Sequence, residues 1–173
     1  EFAFLPLSLM SAGSSVLSNP AATVNIFISG KQEISGYETQ ELKNSDSSVI
    51  KIVSDVGFVS KALYFSGPFS NSGPIPPKVG EITSYTVVWS LSNSANNITK
   101  GIVRSSLPAW VRFVGPVSPL SEDLTYNPST QELVWNVGNI AKGTGISSPS
   151  REASFRVTFE PSLSPVGAVL FFL

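Results

Sequence analysis

Residues 153–160 alternate strictly: Ala153, Phe155, Val157 and Phe159 fall on one side, Ser154, Arg156, Thr158 and Glu160 on the other. Only an extended strand gives side chains a period of two, so this run is expected to be a strand with one face in a core. A slip of one residue would bury Arg156 and Glu160, which pins the register. The same period recurs at Tyr85, Val87, Trp89 and Leu91, set against Thr86, Ser90 and Ser92. Leu133, Trp135 and Val137 form a third inward set. The turn signal Asn127-Pro128-Ser129-Thr130 would join it as a hairpin to Leu124-Thr125-Tyr126. Weaker strands are expected over residues 59–65, 98–107, 111–114 and 167–173.

From about residue 58 this makes seven or eight short strands separated by Pro, Gly, Asn and Ser clusters. That count and spacing predict an all-β chain, an Ig-like antiparallel β-sandwich. Its core is expected to hold Tyr85, Val87, Trp89, Leu91, Trp135, Val137, Phe155, Val157 and Phe159. Residues 1–57 offer three strands, over 2–10, 22–29 and 47–54, which are few for an independent sandwich. They read as a partial second β-domain, the end of a preceding Ig-like module or a half-sheet packed on the next, so the expected domains are 1–57 and 58–173. Pro68, Pro74, Pro76 and Pro77 remove ladder donors, and residues 67–77 are expected as an extended, stiff connection. Both ends of the chain fall in apolar, strand-like runs, the expectation for a piece of a longer protein.

Composition narrows function more than fold. With no Cys and no His there is no thiol nucleophile, no Ser-His-Asp triad and no zinc site of the usual type. Lys and Arg number 11 against 12 Asp and Glu, so the clustered positive charge of a nucleic-acid binder is not expected. No run approaches the roughly 20 apolar residues that span a bilayer, so no membrane insertion is expected. The chain holds 30 Ser, in keeping with many short turns.

Several segments together carry a resemblance. Residues 76–89, Pro-Pro-Lys-Val-Gly-Glu-Ile-Thr-Ser-Tyr-Thr-Val-Val-Trp, continue into Leu91-Ser92-Asn93. Ser106-Leu107-Pro108-Ala109-Trp110-Val111-Arg112-Phe113 follows, then Tyr126-Asn127-Pro128 through Val134-Trp135-Asn136-Val137-Gly138. Gly143-Thr144-Gly145 leads into Phe155-Arg156-Val157. In spacing and residue type this resembles the Ig-like bacterial surface repeat known as domain of unknown function 11, across residues 58–173. Residues 62–69, Ala-Leu-Tyr-Phe-Ser-Gly-Pro-Phe, are similar to repeats in large surface proteins of uncultured bacteria. The resemblance implies an extracellular, tandemly repeated structural module on the bacterial cell surface, with neighbouring Ig-like domains as partners, no cofactor and no catalytic residues to carry over.

Each segment with a chemical reading also has a plainer one. Residues 138–145 carry glycines and Lys142 but lack phosphate-loop spacing and lead into a strand, so they read as a connecting loop. Glu122 and Asp123 are adjacent, so on a strand they face opposite ways, and a solvated pair is expected. Dispersed carboxylates give no calcium-loop pattern, and no metal or catalytic residue is assigned. Lys61, in phase with Val59, Leu63 and Phe65, is the candidate for an intramolecular isopeptide bond. Asn97-Ile98-Thr99 fits the N-glycosylation pattern, which decides nothing without a eukaryotic secretory setting. Trp89 and Trp135 are in phase with the core, whereas Trp110 and Arg112 are expected to face solvent if Val111 and Phe113 face inward. Trp110, Arg112 and Phe69 are therefore the candidate ligand contacts.

Two functional classes follow. One is a non-catalytic spacer in a large surface protein, favoured by the outward hydroxyls of Thr86, Ser90, Ser92, Ser154 and Thr158. The other is an adhesion or carbohydrate-binding module whose exposed aromatics meet a cell-surface glycan or protein.

Overall fold

The computed structural model describes residues 20–33, 35–36 and 38–162. Nine strands run in order: β1 (Ala21–Gln32), β2 (Gln40–Lys51), β3 (Val56–Leu63), β4 (Thr83–Asn93), β5 (Ile98–Ser106), β6 (Val111–Ser118), β7 (Asp123–Asn127), β8 (Glu132–Ile140) and β9 (Arg151–Phe159). The strands expected over 2–10 and 167–173 lie outside the described residues. No helix among the described residues is long and apolar enough to cross a membrane.

β1 and β2 pair only with each other, from Ala21↔Lys51 to Gln32↔Gln40. The remaining seven strands form two antiparallel sheets, ordered β3-β4-β9-β6 and β5-β8-β7. Two such sheets with apolar inner faces give the β-sandwich that the alternation predicts. The division of four strands against three is that of a constant-type Ig domain, but two strands have exchanged places. There the fifth strand pairs with the second and fourth, and the seventh with the sixth. Here the seventh sandwich strand, β9, lies between β4 and β6, and the fifth, β7, pairs with β8. The turn around Asn127–Ser129, where Asn127 Oδ1 accepts from Ser129 N at 3.0 Å, accounts for one half of the exchange by closing β7 onto β8 as a tight hairpin. β8 must then reach β9 across the sandwich.

The inner faces meet in a core of Val87, Trp89, Leu91, Val111, Leu133, Trp135, Val137, Ala153, Phe155 and Val157, all buried. Trp89 forms its centre, 5.1 Å from Phe155 edge-on and 6.4 Å from Trp135. Phe159 is buried as expected, and Tyr85, expected inside, is only half-buried at the rim. Each large apolar side chain taken fully from water contributes about 1.5–3 kcal/mol, so this cluster carries most of what holds the sheets together.

Four readings of the sequence need correction. In β3 the inward residues are Phe58, Ser60 and Ala62, opposite Leu91, Trp89 and Val87. Val59, Lys61 and Leu63 therefore lie on the outer face. β3 is an edge strand with apolar residues in both phases, so alternation alone could not choose its register. Lys61 is exposed, which removes the buried amine an isopeptide bond requires. Thr86 and Ser154, expected outside and wet, are buried. The cover over Thr86 is the proline-rich connection itself, which folds back onto β4. Asn71 Nδ2 donates to Leu63 O, Tyr64 O and Thr86 Oγ1 at 3.0–3.2 Å, and Ser72 N donates to Ser84 Oγ at 2.7 Å. Glu122, expected solvated, is buried, with its side chain only 4% exposed.

Candidate functional site

Trp110 sits in the turn that feeds β6, closed by Val111 N donating to Pro108 O at 2.9 Å. Val111 is wholly buried and Phe113 packs on the core. Two-residue alternation then leaves Arg112 on the outer face, opposite Thr158, and exposed. Trp110 is 46% exposed, the placement the sequence predicts. Phe69 belongs to the connection over β4, where its carbonyl accepts from Asn71 Nδ2 and Thr86 Oγ1 at 3.5 Å, and its ring is half-buried. Among the described residues no hydrogen bond or ring contact links Phe69 to Trp110 or Arg112, and β9 separates β4 from β6. The three residues thus belong to two different places on the four-stranded sheet.

A second aromatic group escaped the sequence reading. Tyr64 stacks edge-on against Phe65 at 4.8 Å and Tyr85 at 5.9 Å, and its hydroxyl donates to Gly73 O at 2.6 Å. Phe65 is 89% exposed. Its neighbour Tyr64 is tied through Gly73 to the β3–β4 connection, and the exposed Phe65 ring meets only the edge of Tyr64 among the ring contacts of the described residues. Burial raises the Tyr85 phenol above its usual range, with Tyr64 as the second cause. The signal available was the residue 62–69 phrase, but alternation gave no way to see that the chain turns back there.

Charge chemistry centres on Glu122. Its Oε2 accepts from Trp135 Nε1 at 2.9 Å and its Oε1 from Arg151 Nε at 2.9 Å. A buried carboxylate needs such partners, and each oxygen has one here. The arrangement ties the β6–β7 connection to β8 and β9, and both oxygens are committed to protein groups. Asp123 faces the other way, exposed, accepting from Asn136 Nδ2 at 2.8 Å. Among the described residues no three His, Cys, Asp or Glu side chains are placed to share a metal ion. An open groove of about 320 Å³ lies on the hairpin, lined by Phe27, Ile28, Ser29, Lys43, Asn44 and Ser45.

Asn93 does a different job in the loops at one end of the sandwich. It is fully buried, and its Nδ2 donates to Asn96 O at 2.6 Å, Ala141 O at 3.0 Å and Ile140 O at 3.4 Å. One amide thereby closes the β4–β5 turn onto the start of the β8–β9 connection. No family model, no curated protein and no solved structure matches the chain.

Proposed function

We propose that the chain is a non-catalytic structural module of a large bacterial cell-surface or extracellular protein, a spacer unit of the repeat type that residues 58–173 resemble. The observation that carries the reading is the junction between the hairpin and the sandwich. Residues 52–55 link β2 to β3, and they are bonded to the β4–β5 turn along their length. Asn96 Nδ2 donates to Ile52 O at 2.9 Å, and Ser54 Oγ accepts from Asn96 N and donates to Asn96 O. Asp55 and Ser94 exchange two further bonds, Asp55 N to Ser94 Oγ at 2.8 Å and Ser94 N to Asp55 O at 3.0 Å. A linker with free backbone groups would swivel, whereas five bonds onto a turn held by Asn93 resist bending, which is what a spacer needs. Low, balanced charge supports the same reading, because steering of a charged ligand from a distance is weak.

The alternative, an adhesion or carbohydrate-binding module, draws its support from exposed Trp110 beside Arg112. An array of glycans and host-surface proteins separates the two. The spacer predicts no interaction that changes with Trp110→Ala. Micromolar binding by the intact chain that the Trp110→Ala protein loses would overturn it in favour of the adhesin.

A further inference from the structure

The hairpin carries an apolar stripe with nothing over it among the described residues. Ala22, Val24, Ile26 and Ile28 share one face of β1, and Val24, Ile26 and Ile28 are 43%, 62% and 68% exposed. Across from Val24, Ile26 and Ile28 on β2 stand Ser48, Asp46 and Asn44, so the stripe lies along β1 and not between the strands. The other edge of β1 pairs with no described strand. From Ala21 to Gly30 it has neither a charge nor a proline, the two devices that usually blunt an open edge. A lone two-stranded hairpin is marginal in water, so this edge calls for a partner.

We propose that the free edge of β1 and the apolar stripe beside it are the docking surface for the chain's own segment 2–10. Three arguments select it over a second copy. The first is area: a face two strands wide, about 10 Å, and twelve residues long, about 40 Å, offers on the order of 400 Å², half the roughly 800 Å² per partner of a stable complex. A tethered segment needs no such area, because the tether supplies a high effective concentration. The second is length. Nine residues span about 30 Å and fit along β1, and residues 11–20 suffice to return the chain antiparallel, the commonest pairing of consecutive strands. The third is chemistry: residues 2–10 carry no charge, and Leu5, Leu7 and Leu9 repeat with the period needed to extend Val24, Ile26 and Ile28. Pro6 lacks a donor and is tolerated on an outermost strand, where it closes the edge to further pairing.

The chain has no Cys, so Ser48→Cys, exposed and opposite Val24, offers one attachment point for a nitroxide on the full chain. In the isotope-labelled, spin-labelled protein the amide signals of residues 2–10 are expected to broaden. They should stay sharp when spin-free labelled protein is mixed with spin-labelled unlabelled protein. Leu7→Lys should abolish the broadening while the signals of β3 to β9 stay in place. Sharp signals in the spin-labelled protein, or equal broadening in the mixture, which means a second copy, would overturn the proposal.

Discussion

Glu122 shows how much one side chain can depend on distant sequence. Adjacency to Asp123 predicted that the two carboxylates would face opposite ways, and they do. Which of them faces in was set by Trp135 and Arg151, which supply the indole N–H and guanidinium that make a buried carboxylate tolerable. Glu122→Ala leaves the indole N–H without an acceptor and is expected to cost about 1–3 kcal/mol in chemical unfolding. Glu122→Gln keeps an acceptor for the indole, and the half-exposed Arg151 can turn to water, so its cost should be smaller. Equal losses for the two variants would show that the charge, not the indole bond, is what matters. Tyr85 gives a prediction with a sign. Its phenol is raised in the folded state, so the folded protein holds the proton more tightly than the unfolded chain. The associated stability is complete below the ordinary tyrosine value of about 10 and is lost as pH rises from there through the raised value of the folded state. Urea midpoints of the natural protein should therefore fall above about pH 10 more steeply than those of Tyr85→Phe. Parallel profiles would refute the assignment.

At the scale of elements, the strands with one strongly apolar phase, β4, β8 and β9, were legible: the wrong phase would turn Arg156 inward in β9, Glu132 and Asn136 in β8, and a run of Ser and Thr in β4. β3 was not, since Val59 and Leu63 compete with Phe58 and Ala62, and only pairing with β4 resolved the choice. The path of the proline-rich connection was not legible for a related reason: missing ladder donors exclude a central strand but do not say where the chain goes. Asn71 and Gly73 decide that. Gly73 has φ of 103°, and a Cβ there would lie 2.3 Å from Ile82 O and 2.6 Å from Thr83 Cα, both backbone atoms that cannot swing aside. Gly73→Ala is thus expected to cost about 1–3 kcal/mol, from the strained φ and the forced separation of the connection from β4. Hydrogen exchange at Ser84 N, which donates to Ser72 O at 2.8 Å, should rise with it. An unchanged exchange rate would mean the connection does not protect β4.

For the whole molecule, the hairpin contributes no strand to either sheet, while residues 52–55 bond to the β4–β5 turn. β3 starts at Val56, two residues before the boundary expected at 58, so a fragment cut at 58 would lose the first two pairs of β3 with β4. A fragment starting at Ile52 keeps both β3 and the bonded junction. It should unfold in one cooperative transition whose midpoint lies close to that of the full chain. A non-cooperative product would show that the hairpin completes the sandwich core.

What the sequence determined by itself is the class of structure and most of its core. Period-two alternation fixes strands and their inner faces, and the turn at residues 127–130 fixes a hairpin, because both are local properties of an extended chain. Eight of the nine residues expected in the core are buried. Tertiary structure alone decided that β9 inserts between β4 and β6, that the proline-rich connection covers Thr86, that Glu122 is inside, and that Trp110 and Phe69 stand apart. Those depend on which strands meet across the sandwich, and that is settled by packing the two sheets against each other, a cooperative choice that no short stretch of sequence encodes.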